Sequence, residues 1–177
     1  MSIKKKLIII TIVIFSILAG INLTWYFLVG IHWNHYKSAV EQIDTDTRTE
    51  YRLKQGEYYF VVRPASYLSF EGGFLKVSQY KEQEAILGED GEIVFEDDSY
   101  ITLYLWPEIF NFNHVTLGID IMDQKYGIDS IVEIDSEFNI TTEGNKQTAK
   151  IEQYIIDNKE LLQDMLNQTA ELWDLEL

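Results

Sequence analysis

The side chains that could carry out catalysis are few in this chain, and their spacing fits no common catalytic arrangement. Its three histidines are His32, His35 and His114, and the first two closely follow a long apolar run. There is no G-x-S-x-G turn, and no histidine lies close in sequence to an obvious nucleophile. The 29 carboxylates make chance pairs unavoidable, and a glycosidase pair needs a spatial separation that sequence does not supply. We therefore predict that the protein is not an enzyme and has no catalytic residues.

Three short patterns resemble metal sites, but each has a simpler reading. His32 and His35 are three residues apart on a predicted helix end, where an interfacial role is favoured over metal binding. Asp44–Asp46 starts like an EF-hand loop, but the sixth position is Thr49 where that loop needs glycine. The acidic turn Glu96–Asp98 could hold calcium loosely or simply be solvated. With no cysteine in the chain to form zinc–thiolate sites or disulfides, we expect no cofactor and no metal site, and weak calcium binding by the acidic clusters stays open.

The first thirty residues are typical of a membrane anchor. Lys4–Lys6 precede an uncharged apolar run from Leu7 to Val29. As a helix this run is about 34 Å long, enough to cross a hydrocarbon layer about 30 Å thick. The lysines favour a cytoplasmic amino terminus, which places the rest outside the cell membrane as a single-pass protein. Trp25, Tyr26 and Trp33 are predicted to form an aromatic belt at the outer interface.

Two other readings of this run remain. A signal peptide could be cleaved after the small-residue region near Ile17 and Ala19, although the run continues to Val29 without an A-x-A pattern. A buried core helix is the second alternative. We favour an anchor over residues 1–30, a juxtamembrane segment over 31–56 with a short helix and a Thr/Asp-rich linker, and an extracytoplasmic domain over 57–177.

The extracytoplasmic domain alternates with period two and is punctuated by glycine turns, a pattern typical of an antiparallel meander. Pro107 is expected to end one strand because it has no amide hydrogen to donate. The predicted strands cover residues 57–63, 66–70, 73–80, 92–96, 99–106, 114–122 and 128–135, with a short eighth near 138–142.

The last thirty residues change to helical spacing. An amphipathic helix is predicted over 147–174, with a break near Asn158 where Asp157 and Glu160 have capping-box spacing. The fold class is therefore α+β, with one face of the sheet packed by this helix. The apolar stripe consists of Ile151, Tyr154, Ile155, Leu162, Met165, Leu166, Thr169 and Trp173.

Strand alternation then assigns two different faces to the sheet. The aliphatic residues Leu75, Val77, Ile93, Phe95, Ile101, Leu103, Leu105, Val115, Leu117, Ile119 and Ile121 would face the helix. The opposite face would combine acids and aromatics, among them Glu92 and Glu96. Its candidate partner-binding residues are Tyr100, Tyr104, Trp106, Asp120, Asp129, Glu133 and Asp135.

Two interpretations of this second face compete. Its aromatics could form cross-strand pairs with wet tips or be covered by residues 31–56, or they could form a docking surface whose carboxylates steer a basic partner. The formal net charge of −15 argues against a nucleic-acid partner, because phosphates would be repelled.

The layout resembles the TipC-type immunity proteins of Gram-positive bacteria. The resemblance rests on the KKK-plus-apolar segment at 4–29 and on paired strands such as VTLGIDIMD and YGIDSIVEID. It implies a tethered, stoichiometric inhibitor that binds a secreted toxin of the type VII system outside the cell. The alternative is an envelope module that binds cell-wall polymer or senses an extracellular ligand, with the aromatics stacking on sugars.

Overall fold

The structure is a computed structural model of the 177-residue chain. It describes residues 3–44, 49–70, 72–80, 86–87, 93–94, 100–108, 111–123, 126–142, 144 and 146–176.

One helical rod begins the chain and passes directly into the folded domain. Helix α1 (Ile3–Trp25) continues through a π-helical turn (Tyr26–Gly30) into α2 (Ile31–Ser38). The rod is long and apolar enough to cross a membrane, and its most apolar window has a mean hydropathy of 2.5 with no residue buried. The π-helical turn inserts an extra residue per turn and so changes which side of the rod faces the domain. Val29 and Gly30 are accordingly buried.

The domain is built on a seven-stranded antiparallel sheet, which confirms the predicted α+β class. Its strands occur in the order β1 (Glu41–Asp44), β2 (Thr49–Gln55), β3 (Tyr58–Arg63), β4 (Phe74–Tyr80), β7 (Tyr100–Glu108), β8 (Asn111–Asp123) and β9 (Ile128–Ile134). Strands β5 (Ile86–Leu87) and β6 (Ile93–Val94) form a separate two-stranded pair between β4 and β7 in the chain.

The sheet starts earlier than the predicted domain boundary at residue 57. Strands β1 and β2 occupy much of the segment that the sequence analysis assigned to a linker. β2 alternates half-buried Tyr51 and Leu53 with charged residues, so its apolar signal is too short to stand out. The predicted short helix in this segment is present as α2.

Other strand predictions need correction. The predicted strand 66–70 is a turn, in which the Ser69 amide donates to the Ser66 carbonyl at 2.9 Å. β7 does not end at Pro107 but runs to Glu108, with a register shift between these two residues. Near 138–142 there is a single bridge, between Ile134 and Ile140. Of the predicted strand 92–96, only residues 93–94 are described, and they pair outside the main sheet; Glu92, Phe95 and Glu96 lie outside the described residues.

The carboxyl-terminal helix breaks where predicted, into α3 (Thr148–Asp157) and α4 (Lys159–Trp173). Every residue of the predicted apolar stripe is buried. The predicted cap is wrong, however, because Asn158 occupies the cap position without a side-chain cap bond. The Asp157 carboxylate instead accepts hydrogen bonds from the Tyr126 hydroxyl at 2.9 Å and the Gln153 amide at 2.8 Å.

The core lies between these helices and the aliphatic face of the sheet, which we call the inner face. Trp173 of α4 packs edge-to-face on Phe60 of β3, with ring centroids 5.8 Å apart. Trp33 and Tyr36 of α2 join the same core. Trp33, predicted to lie in a membrane belt, is only 4% exposed. The buried apolar strand residues are Tyr58, Phe60, Val62, Leu75, Val77, Ile101, Leu103, Leu105, Val115, Leu117, Ile119, Ile121, Ile128, Val132 and Ile134.

Candidate functional site

The opposite side of the sheet, here called the outer face, carries the candidate binding residues. The strand register aligns Lys76, Tyr104, Gly118 and Glu133 across β4, β7, β8 and β9. Since residues paired in this way point to the same side, the alternation along each strand defines the whole face. Its members are Tyr59, Val61, Arg63, Phe74, Lys76, Ser78, Tyr100, Thr102, Tyr104, Trp106, Thr116, Gly118, Asp120, Met122, Asp129, Ile131 and Glu133.

The predicted site residues come together on this face, except Asp135. Tyr100, Tyr104 and Trp106 point to the same side of β7 and are half-buried. Asp120 on β8 is half-buried, and Asp129 and Glu133 on β9 are exposed. The aromatics therefore present part of their surface to solvent while the leucines between them are sealed inside.

A flat aromatic platform lies at the centre of the outer face. The rings of Tyr104 and Trp106 are stacked, with centroids 5.6 Å apart and planes 7° from parallel. Phe74 of β4 meets Tyr104 edge-on at 5.2 Å. Edge-on and stacked contacts of this kind hold rings in fixed orientations. Alternation with Leu75 already places Phe74 on this face, but the sequence analysis did not include it among the candidate residues.

Gly118 makes this platform possible. A Cβ atom added at Gly118 would lie 2.5 Å from Cη2 and Cζ3 of Trp106. Such a distance is far inside van der Waals contact, so any larger residue would push the indole off the sheet. A glycine inside a strand weakens pairing and often marks a close approach of another group. Here the approaching group is the indole of Trp106, a residue on the neighbouring strand.

Beyond the platform, β7, β8 and β9 bring a tyrosine and two carboxylates together. The side chains of Tyr100 and Asp120 are hydrogen-bonded to each other. The carboxylate of Asp129 is near enough to repel the negative charge of Asp120. Burial and then the charge of Asp129 raise the pKa of Asp120, against opposing effects of Lys76 and the Tyr100 hydrogen bond. Burial, followed by the charge of Asp120, raises the pKa of Tyr100 to about 12. Asp120 is thus held close to another acid at a cost to its charged form.

The other edge of the outer face is basic, which the sequence analysis did not foresee. The Arg63 guanidinium lies 5.6 Å from the Phe74 ring, and the Lys76 ammonium lies 6.0 Å from the Tyr104 ring. Lys54 of β2 lies 5.1 Å over Tyr59. Cations over aromatic faces gain a modest electrostatic attraction. The face is therefore basic over β2–β4, aromatic in the middle and acidic over β8–β9, and not uniformly acid and aromatic.

Asp135 has a structural role in the turn that follows β9. Its Oδ1 accepts hydrogen bonds from the amides of Glu137 at 2.9 Å and Asn139 at 2.8 Å, and its Oδ2 accepts one from the Asn139 side chain at 2.8 Å. The hydrogen bonds from Asn139 lower the pKa of Asp135. Such Asx turns are a common use of aspartate after a strand. The carboxylate that the sequence analysis assigned to partner binding is therefore already hydrogen-bonded within the turn.

Among the described residues, no group of three or more His, Cys, Asp or Glu side chains is arranged to hold a metal ion. Residues 45–48 and 96–98, which include parts of the two acidic patterns, lie outside that range. Comparison with family models, curated proteins and solved structures finds no match to this chain.

Proposed function

We propose that the chain is a membrane-tethered extracytoplasmic protein that binds a protein partner through the outer face of its sheet. In this proposal the partner is a secreted toxin and the chain is an immunity protein that neutralises it by stoichiometric binding. The observation that carries the proposal is the ordered Tyr104–Trp106 platform, part-exposed between a basic edge and an acidic edge.

The tether is supported by the amino-terminal rod. No residue in its most apolar part is covered by the rest of the protein. In water this part would therefore expose a long apolar surface at a high free-energy cost. Lys4–Lys6 at its start favour a cytoplasmic amino terminus and an extracellular domain. A toxin acting outside the cell or arriving at its membrane would be met at that surface.

A protein partner is supported by the composition of the outer face. Tyrosine and tryptophan dominate the energetics of many protein interfaces because they bury a large rigid area at low entropic cost. The flanking charges favour one orientation of the partner, since a basic patch on it would contact Asp129 and Glu133 and an acidic patch would contact Arg63. A partner with both patches on either side of an apolar centre fits this surface.

The stacked platform also supports a second candidate function. The apolar faces of sugar rings pack well on flat aromatic rings, so a cell-wall polymer could lie along Tyr104 and Trp106. On that reading the charged edges would contribute little to binding. The two functions therefore differ in their dependence on Glu133.

A pull-down with the full-length chain in lipid nanodiscs would separate these functions. The baits are the wild type, the double variant Tyr104→Ser/Trp106→Ser, the charge reversal Glu133→Lys, and Ile156→Ser as a control at an exposed apolar residue on α3. We expect the wild type and the control to retain one secreted protein of the same organism. The two outer-face variants should bind it at least about 30-fold more weakly, since the loss of a hot-spot residue costs roughly 2 kcal/mol or more.

The retained protein should also poison cells that lack the chain, and wild-type chain supplied in those cells should restore growth where the double variant does not. Equal retention by all four baits would overturn the outer face as the binding surface. Retention on purified cell wall alone, lost in the double variant and kept by Glu133→Lys, would favour the polymer-binding function instead.

A further inference from the structure

The turn between β3 and β4 lies against the end of the membrane-spanning helix. The Tyr67 hydroxyl donates a hydrogen bond to Oδ1 of Asn22, and the Trp25 indole N–H donates to the Ser69 carbonyl at 2.9 Å. The rings of Trp25 and Tyr67 meet edge-on with centroids 5.1 Å apart. Three contacts thus join residues 66–70, here called the 66–70 turn, to the last two turns of α1.

The contacted part of α1 lies at the depth of the bilayer. At about 1.5 Å per residue, Asn22 is about 22 Å along the helix from Leu7, where the apolar run begins. The hydrocarbon layer is about 30 Å thick, so its outer boundary falls near Phe27. A group that hydrogen-bonds Asn22 must therefore lie at or below that boundary.

The 66–70 turn has the surface that such a position requires. Tyr67, Leu68 and Phe70 are 67%, 38% and 38% exposed, and no residue from Pro64 to Phe70 is charged. Beside them on the rod, Tyr26 and Phe27 are 47% and 60% exposed. Aromatic side chains with one apolar and one polar end are enriched where hydrocarbon meets headgroups.

The backbone holds these side chains outward. Leu68 has φ of 60°, in the left-handed region that residues with a side chain rarely adopt. The chain then returns to the sheet through Gly73, where a Cβ would lie 2.5 Å from the Ala65 nitrogen and 2.7 Å from the Trp33 ring. The turn is therefore packed into one shape, and that shape keeps Leu68 on the surface.

From these contacts we infer that the 66–70 turn is a second membrane contact, which inserts Tyr67, Leu68 and Phe70 among the lipids of the outer leaflet. The partner of this surface is the acyl–headgroup boundary of the bilayer. The inference rests on the membrane anchor of the proposed function, but it is independent of what the outer face binds. The domain would then contact the membrane at two places, the amino-terminal helix and the 66–70 turn.

Site-directed spin labelling of the full chain in nanodiscs of phosphatidylcholine and phosphatidylglycerol tests this inference. The chain has no native cysteine, so Phe70→Cys and Leu68→Cys each carry one nitroxide. Phe15→Cys is the control within the anchor, and Gln55→Cys, at the β2–β3 turn, is the control in water. The measurement is the ratio of collision rates with oxygen, which concentrates in lipid, to those with a water-soluble nickel chelate.

We expect the ratio at positions 68 and 70 to be several-fold above that at position 55 and below that at position 15. Ratios at 68 and 70 equal to that at 55, with position 15 in lipid, would overturn the membrane contact and leave the anchor intact. A water-like ratio at position 15 would overturn the anchor and the inference together. If one labelled variant fails to fold, the other position decides the result.

Discussion

At the scale of single residues, the outer face depends on two features. Gly118 has no side chain, and Asp120 carries its charge in an unfavourable place. Gly118 leaves space for the Trp106 indole to lie flat on β8. Asp120 is kept half-buried beside Asp129. Both arrangements reduce stability locally, and residues kept at such a cost cluster at functional sites.

Gly118→Ala should disrupt the platform without removing any aromatic ring. The new methyl group would overlap the indole, so we expect a loss of about 1–3 kcal/mol in the free energy of unfolding and a change in Trp106 stacking. Tryptophan fluorescence and urea unfolding measure the two effects. Thr116→Ala, at an exposed position on the same strand and face, is the matched control. Unchanged stability and partner affinity in Gly118→Ala would contradict the role given to this glycine.

Asp120→Asn should stabilise the protein at neutral pH. The folded state raises the pKa of Asp120 above its ordinary value of 3.8, so over a range of pH the folded protein retains a proton that the unfolded chain releases. Stability due to this group is therefore present at low pH and is lost as the pH rises from about that value through the raised pKa. Asparagine removes the buried charge and can still accept the Tyr100 hydrogen bond.

The measurement is thermal unfolding of the wild type and Asp120→Asn between pH 4 and pH 8. The gain in Tm should be largest at pH 7 and should shrink as the pH approaches 4. Because the chain is strongly acidic, Glu152→Gln on the exposed side of α3 shows what removal of any one negative charge does. A lower Tm for Asp120→Asn at pH 7 would show that its carboxylate stabilises the fold.

At the scale of secondary-structure elements, helices α3 and α4 pack on the inner face of the sheet. Leu162 of α4 is fully buried against the sheet. Leu162→Ala should therefore cost about 2–5 kcal/mol of unfolding free energy, because it removes buried methyl groups and leaves a cavity. Its exposed neighbour Gln163 provides the control, Gln163→Ala, which should change stability by less than about 0.5 kcal/mol. Equal, small losses in urea unfolding would mean that α4 is not part of the cooperative core.

An element could be predicted well where its buried face produces a clear apolar spacing in the sequence. Helices α3 and α4 and strands β7 and β8 bury one full face, so their apolar spacing predicted them and assigned Leu103 and Ile119 to the core. β1 and β2 lie at the edge of the sheet and alternate weakly, so they read as a linker. The turn at 66–70 was predicted as a strand because Tyr67, Leu68 and Phe70 look like core residues.

The site was predictable to a similar degree. Alternation along β7 correctly grouped Tyr100, Tyr104 and Trp106, since period two is a local property of a strand. The basic edge was missed because the strand at 57–63 was given no face, which left Arg63 unassigned. Lys76 was overlooked, although its position between Leu75 and Val77 already places it on the outer face. The role of Asp135 in the turn was not predicted because its hydrogen bonds depend on the backbone of the residues that follow.

At the scale of the whole molecule, the amino-terminal rod is one continuous helix from Ile3 to Ser38. Its far end is part of the domain core through Val29, Trp33 and Tyr36. No flexible joint separates the apolar part from the domain along this rod, and a rotation of one turns the other. If this rod is the membrane anchor of the proposed function, it orients the domain as well as tethering it.

Under the proposed function, this continuity would make the orientation of the domain depend on the lipid around it. A transmembrane helix adapts to a thinner bilayer by leaning away from the normal, and a stiff connection would pass that lean to the sheet. The direction in which the Tyr104–Trp106 platform points would then vary with bilayer composition. The same chain could meet its partner readily in one region of the cell surface and poorly in another, with no change in its own conformation.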